Sequence, residues 1–323
     1  MKRRWPLLLS LLPLLLGLAA YGHFWRGWAA DFETTLAGWF PGRQVQVTGF
    51  PYRMEAELAW VKLTHAGGTS VALAVEKLRL NRGPWRPELT VLQGQGVALA
   101  AGAGGLQARA AAATATASLK IAPDAAGLNR LARLSIVLPG ATGNAGLGPD
   151  YRADSLELHI REVFGAKPAD PASPRLAQHG QLVIGATGFA LGQGAPISLA
   201  ADVTARAAGR MDDYRRWADG GGSLDLVMTG SDATGELFKL DATVVPLATG
   251  LRLGGTITTV CPMAVQAALT GSVPPAEQRL RSAVRLALET ALPAGGAVAL
   301  SGIPADLATR ARRGQLPACP RLR

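Results

Sequence analysis

The sequence is poor in the residues from which most chemical sites are built. It has only two cysteines and four histidines among 323 residues. The histidines stand far from one another and from both cysteines: His23, His65, His159 and His179. A metal centre needs three or four such ligands held close together. The sequence therefore predicts neither a metal site nor a cofactor.

Sequence motifs of nucleotide-binding and hydrolytic enzymes are also missing. There is no GxSxG, no HExxH and no GxxxxGK[ST]. The glycine-rich segments at 102–105, 140–148 and 220–222 do not connect a strand to a helix, as a phosphate-binding loop requires. Asp212 and Asp213 fit the start of a short helix better than an acid–base pair. The sequence thus predicts no catalytic residue.

Charged and aromatic residues are scarce, and the charge is one-sided. Charged residues make up 17% of the chain and aromatic residues 6%, with a formal net charge of +10. The basic residues form no run interleaved with aromatics, so the sequence predicts no nucleic-acid partner. A positive body beside a bilayer favours anionic lipid headgroups. An arginine-rich genome composition would give the same number of basic residues without any lipid partner, and this alternative stays open.

Long apolar runs are absent except at the N-terminus. Basic residues at 2–4 precede an apolar stretch from Trp5 to Tyr21, which aromatic residues up to Trp28 close. About 20 apolar residues in a helix cross a bilayer, aromatic rings favour its interfaces, and flanking basic residues stay cytoplasmic. We expect residues 5–25 to anchor the chain once in the bacterial inner membrane, with its body in the periplasm. A cleaved signal peptide is the alternative.

The rest of the chain reads as a strand-rich body. We predict an anchor at 1–28 and a β-rich domain at 29–323, whose proline-rich segment 165–174 is a hairpin tip or an internal boundary. Apolar residues alternate with polar ones in many short runs, which is typical of half-buried strands. The expected fold is mainly β: a large antiparallel, curved, meandering sheet with a few short helices. The sequence leaves open whether the sheet closes as a sandwich or presents an apolar groove.

The spacing of apolar residues, with proline or glycine at the ends of several segments, predicts helices at five places: 29–40, 128–134 (as a turn or helix), 212–217, 274–291 and 304–313. The segment 274–291 has the clearest pattern, because a Pro-Pro pair opens it and Leu280, Val284 and Leu288 share one helical face. Residues 108–121 are rich in alanine, but their threonines favour a strand.

The sequence is compatible with two states of its cysteines, a disulfide or two free thiols. Both Cys261 and Cys319 lie in the C-terminal quarter, and two separated cysteines in an oxidising compartment can be joined. A bridge over a loop of that length would stabilise the fold by about 4 kcal/mol on the loop-entropy argument. Two free thiols are the alternative.

A short motif interrupts the first alternating run. Gly49, Phe50, Pro51 and Tyr52 follow two alternating valines, and Trp60, Asn81, Trp85 and Pro87 come after them. This set resembles a family of uncharacterised bacterial envelope proteins, a domain of unknown function similar to the AsmA-like group. The resemblance implies an inner-membrane-anchored periplasmic protein with an elongated curved sheet. AsmA-like relatives are associated with envelope maintenance and phospholipid movement, although this chain is far shorter than those thought to span the periplasm.

The resemblance brings no catalytic residues with it. The motif is expected to be structural: Gly49 permits an unusual backbone angle, Pro51 prevents ladder pairing, and Phe50 plugs the corner between two strands. The sequence therefore predicts a non-enzymatic anchored protein with a lipid-binding or envelope-maintenance role. A scaffold or assembly factor for another envelope protein is the alternative, and a hydrolase-like enzyme using the histidines with Asp212 or Asp213 is a remote one.

Overall fold

The structure is a computed structural model, and it describes residues 5–66, 69–124, 126–146, 148–163, 176–208, 213–247, 250–292, 299–303 and 316–323. Its helices are α1 (Trp5–Trp39), α2 (Tyr214–Asp219) and α3 (Pro262–Thr270). Its strands are β1 (Met54–Ala66), β2 (Thr69–Arg82), β3 (Leu89–Ala103), β4 (Leu106–Pro123), β5 (Asn129–Asn144), β6 (Tyr151–Glu162), β7 (Gln178–Leu191), β8 (Ile197–Arg206), β9 (Ser223–Asp232), β10 (Gly235–Pro246), β11 (Leu251–Thr259), β12 (Val284–Leu292) and β13 (Ala299–Ser301).

The strands form one open sheet in which each strand pairs with the one before it. The order is β1 to β13 without a crossover, and every pairing is antiparallel. Most successive strands are joined by short turns, which agrees with the many glycines of the sequence, whereas α2 and α3 lie in longer connections. The prediction of a mainly β, antiparallel, curved meander is confirmed. The alanine-rich segment 108–121 lies inside β4, as its threonines indicated.

Helix α1 is longer than expected. It runs for 35 residues without a break, so the apolar segment and the predicted helix 29–40 are one element. Its second half buries Trp25, Ala29, Phe32 and Leu36 at spacings of three and four, which places them on one face, and Phe40 directly after the helix continues this spacing. No helix in the described part of the chain is both long enough and apolar enough to cross a membrane.

The main core lies between this face of α1 and the first seven strands. Phe32 and Leu36 are fully buried and pack in one cluster with Met54 and Leu80. Each such side chain stabilises the fold by about 2–3 kcal/mol through removal of its apolar surface from water. The second half of α1 is thereby fixed to the sheet.

A line of unusual backbone angles crosses the sheet, and we name it the crease. Four residues on alternate strands have left-handed φ angles between 53° and 60°: Trp60, Gly96, Gly140 and Gly188. The ladder is interrupted there: on β1, Ala59 pairs with Lys77 and Val61 with Val75, with no pair between them. Two consecutive residues then point to one face, as in a β-bulge, and the strand bends.

Two helix predictions are wrong. Residues 284–292 form β12 and not the end of a helix, because they pair with β11, and Leu286 is fully buried there. Residues 129–134 belong to β5, which continues through residue 144 into the glycine-rich segment 140–148. Helix α3 was not predicted, and the valines before Gly49 form no named strand, since that segment has only a bridge between Thr48 and Glu55. The predictions at 165–174 and 304–313 lie outside the described residues.

Candidate functional site

A groove of about 570 Å³ crosses strands β1 to β5 beyond the crease. Its floor consists of two rows of cross-strand neighbours. One row is Lys62, Ala74, Ala98, Ala111 and Thr142, and the other is Thr64, Ala72, Ala100, Arg109 and Asn144. Such a volume lies within the range of about 300–1,000 Å³ typical of ligand pockets.

The groove lies on the face of the sheet that is turned away from the core. On the same strands the neighbouring residues Val61, Val75, Val97 and Ala112 are buried in the main core. Leu73, Leu99 and Ala110 lie between the two rows, also line the groove, and are partly buried against that core. Side chains alternate between the two faces of a strand, so the groove rows point outward. Because half of the residues in the two rows are alanine, the longer side chains of the rows stand above them, and the result is a trough.

The dimensions of the trough favour an extended apolar ligand. It crosses five strands, and four strand spacings give a length of about 19 Å. The hydrocarbon layer of one bilayer leaflet is about 15 Å thick, which is the length of its acyl chains, so an acyl chain fits along the floor. None of the floor residues was singled out from the sequence. The alternation of alanine with larger apolar residues in β2 to β4 is the signal that could have found them.

Positive charge is available at the groove. Lys62 and Arg109 are both exposed, and within the described ranges neither forms an ion pair with a carboxylate. The carboxylate that lines the groove, Asp150, accepts a hydrogen bond of 3.0 Å from the Asn144 amide. The groove therefore combines a partly apolar floor with two cations that have no carboxylate partner among the described residues.

The far end of the groove is held by a tyrosine. The Tyr151 hydroxyl donates a 3.1 Å hydrogen bond to the Arg109 carbonyl oxygen, which ties β6 to β4 across β5. Burial raises the pKa of this hydroxyl, so it stays a donor at neutral pH. Tyr151 also stacks on Phe189, with ring centroids 5.6 Å apart.

The residues of the Gly-Phe-Pro motif lie elsewhere, beside α1. Gly49 has a φ of 99°, and a Cβ there would stand 2.8 Å from the Arg53 carbonyl oxygen, so glycine is required. The Phe50–Pro51 peptide bond is cis. Phe50 is 52% exposed, and its ring lies 5.4 Å from that of Trp25. The expectation that Phe50 plugs a buried corner is wrong, because the ring rests on the outside of the helix.

The two tryptophans named with the motif are in different places. The Trp85 ring lies 5.3 Å from Trp28 and 6.1 Å from Tyr21, so it joins the same aromatic group on α1. Trp60 lies on the crease, where it is 66% exposed. The structure therefore brings Phe50, Pro51 and Trp85 together and leaves Trp60 apart.

Cys261 and Cys319 form a disulfide that holds the C-terminal segment against α3. The Glu277 carboxylate lies beside it and accepts hydrogen bonds from the Met263 and Ala264 N–H groups, each 3.1 Å long, which caps the helix. Burial raises the pKa of Glu277. Cys261, Cys319 and Glu277 could hold a metal only if both cysteines were thiolates. Both sulfurs are instead joined in the disulfide.

Among the described residues, the histidines and Asp213 suggested for a hydrolase-like site do not assemble. Asp213 caps α2 by accepting the N–H groups of Arg215 and Arg216, as the sequence predicted. Asp212 lies outside the described residues. His159 projects from β6 beside Glu157, 3.5 Å away, and no described histidine has a hydrogen bond or ion pair with Asp213.

By its fold, the protein is an open antiparallel meander with a long N-terminal helix docked on its first strands. Residues 37–301 match the family described as "Uncharacterized protein conserved in bacteria (DUF2125)", and the chain belongs to that family. The resemblance to an uncharacterised bacterial family is thereby confirmed. No curated protein and no solved structure matches the chain.

Proposed function

We propose that the protein is a non-enzymatic, membrane-anchored envelope protein that holds the acyl chain of a phospholipid in the alanine-lined groove. The observation that carries the proposal is the groove itself. An apolar trough with two unpaired cations matches the two parts of a phospholipid, a hydrocarbon chain and an anionic headgroup. Either Lys62 or Arg109 would bind the phosphate, since both cations border the floor.

The position of the groove supports holding lipid outside the bilayer. Lys62 is eight residues along β1 from Met54, where the strand begins directly after the turn at 49–53, which is a distance of about 26 Å. A chain bound there is separated from the membrane end of the body. This is the geometry of a protein that extracts or shields a lipid, which agrees with a role in envelope maintenance like that associated with AsmA-like proteins.

The anchor is part of the proposal. Residues 5–25 would cross the inner membrane once, with the body in the periplasm. The first half of α1 carries six leucines that are 48–61% exposed: Leu11, Leu12, Leu14, Leu15, Leu16 and Leu18. Water is a poor surrounding for such a helix, and lipid is a good one. A disulfide also suits an oxidising compartment such as the periplasm.

The test compares lipid retention by groove variants of the full chain. Ala98→Phe and Ala111→Phe place rings on the floor, and Ala59→Phe places the same ring at an exposed alanine of β1 outside the groove. Each protein is purified from a bacterial host in mild detergent, and its bound phospholipid is counted by native mass spectrometry with lipid extraction. The comparison cancels the lipid that adheres to the anchor, because the anchor is identical in the wild type and the three variants.

We expect about one phospholipid per chain beyond the anchor lipid in the wild type and in Ala59→Phe, and a loss of most of it in the two groove variants. Equal lipid content in all four proteins would overturn the groove as the binding site. The scaffold alternative has weaker support. A partner strand would add at the open edge of β1, but Arg43 already donates hydrogen bonds to the Ala59 and Trp60 carbonyl oxygens there.

A further inference from the structure

Two turns of the body and the middle of α1 share a surface that we name the aromatic collar: Tyr21, Phe24 and Trp28 of α1, Phe50 and Tyr52 of the turn at 49–53, and Trp85 of the turn at 83–88. We infer that the aromatic collar lies in the headgroup layer of an anionic bilayer and holds the body with its strands extending away from the membrane surface. This inference rests on the anchor of the proposed function. It assigns to the Gly-Phe-Pro turn a membrane contact rather than a place in the core.

The collar is a connected structure. The Tyr21 ring is central, with the centroids of Trp28, Phe50 and Trp85 at 6.3, 6.0 and 6.1 Å. Its hydroxyl donates a hydrogen bond to the Pro51 carbonyl oxygen, which joins the helix to the turn. Both turns are closed by their own backbone, through hydrogen bonds from Arg53 N–H to Gly49 and from Arg86 N–H to Gly83. The rings are therefore held in place before any membrane contact.

The collar is exposed although it is aromatic. Tyr52 is 82% exposed, Trp85 71%, Phe24 60% and Phe50 52%, while Trp25 beneath them is only 8% exposed. Contiguous large rings in water are unusual for a soluble surface and mark a site that contacts a partner. Aromatic side chains with an apolar body and a polar edge are enriched where a membrane meets water.

Two observations identify the partner as a bilayer. First, the collar is continuous with the exposed leucines of α1: Leu18 is one helical turn before Tyr21. Second, Arg26, Arg53 and Arg86 are exposed in the same segments, and each basic residue near an anionic membrane surface contributes about 1 kcal/mol of attraction. A protein partner would need a surface that matches both the apolar helix and the basic rim, whereas a bilayer supplies both.

The test uses ¹⁹F NMR of the full chain labelled with 5-fluorotryptophan in nanodiscs of phosphatidylethanolamine and phosphatidylglycerol. Trp85→Phe and Trp60→Phe assign the two tryptophans that are exposed among those whose side chains the structure describes. Trp60 is the matched control, since it is 66% exposed but lies six residues, about 20 Å, along β1 from Met54. A lipid with a spin label near its headgroup is then added to the nanodisc.

We expect the label to broaden the Trp85 resonance at least fivefold more than the Trp60 resonance. A soluble paramagnetic reagent should give the opposite order. Equal effects on both resonances, in a chain that co-purifies with the nanodisc, would overturn the collar and leave the anchor intact. A chain that does not co-purify with nanodiscs would overturn both the anchor and the collar. The groove variants in detergent test lipid binding separately from either result.

Discussion

The crease makes a prediction that depends on backbone geometry alone. Gly140 lies on the crease with a φ of 59°, and no atom lies within 4 Å of the place where a Cβ would stand. Gly140→Ala therefore introduces no clash. Its cost is the left-handed conformation, about 1–2 kcal/mol for an L-residue, partly offset by about 0.4–1 kcal/mol from the smaller entropy of the unfolded chain. We expect a net loss of about 1 kcal/mol of stability.

Gly254 provides the control for this substitution. It lies in β11, its φ is outside the left-handed region, and it also has no atom within 4 Å of a Cβ position. Gly254→Ala adds the same methyl group at an extended residue, so only the entropy of the unfolded chain changes. We expect a gain of about 0.5 kcal/mol. The two variants should therefore differ in sign and by about 1.5 kcal/mol.

The assay is urea unfolding of the oxidised full chain in detergent, followed by circular dichroism of the sheet. With a slope of about 3 kcal/mol per molar urea for a chain of this size, the midpoint should fall by about 0.3 M for Gly140→Ala and rise by about 0.2 M for Gly254→Ala. Equal midpoints for the two variants would refute the left-handed crease. An unchanged slope would show that both proteins unfold the same surface.

Three further predictions concern stability. Reduction and alkylation of the disulfide should cost about 4 kcal/mol, because its loop spans 58 residues; a thermal midpoint that does not move would contradict this. Asp232→Asn should cost about 3 kcal/mol at pH 7, because it leaves the guanidinium of Arg279, only 7% exposed, without its ion-pair partner. Burial alone would raise the pKa of Asp232, but hydrogen bonds from Thr234 and Arg279 hold it below its ordinary 3.8, so the wild type should lose this stability as the pH falls through that range while the variant does not; parallel pH profiles would argue against the pair. Phe32→Ala should cost about 3–5 kcal/mol and the half-exposed Phe50→Ala clearly less, and equal losses would place Phe50 in the core after all.

Much of the fold was predictable because the sheet is local. Each strand pairs with its sequence neighbour, so most stretches of alternation in the sequence are also strands of the structure, the valines before Gly49 being an exception. Asp213 was predictable for the same reason, since a helix cap needs only the next three residues.

Residues 280–292 show why the rest was not predictable. Val284 and Leu288 are four residues apart, which fits a helix, but Leu286 between them gives period two. Both patterns are present, and the neighbouring strand decides between them: Leu286 pairs with Ile257 of β11 and is fully buried. A single segment does not contain that information.

The groove forms on the outer face only because of the crease, and the crease is visible in the sequence as a change in the spacing of the core residues. Along β1 to β6 the buried and half-buried residues of the core face are two positions apart, except at one step of three on each strand. The steps are Leu58 to Val61, Leu78 to Val75, Gly94 to Val97, Ala112 to Ala115, Leu138 to Ala141, and Ala153 to Leu156. Each step of three falls at the level of the left-handed residues, where two consecutive side chains face outward.

Without those steps, strict alternation would turn the far half of each strand over. Val61, Val75 and Val97 would then face water, and the alanine rows with Lys62 and Arg109 would face the core. Burying the charges of Lys62 and Arg109 in the core would destabilise the fold, and the small alanine side chains would leave the core underpacked. The crease therefore keeps one apolar face continuous from α1 to the far ends of the strands. It also exposes on the outer face the alanine floor to which we assign lipid binding.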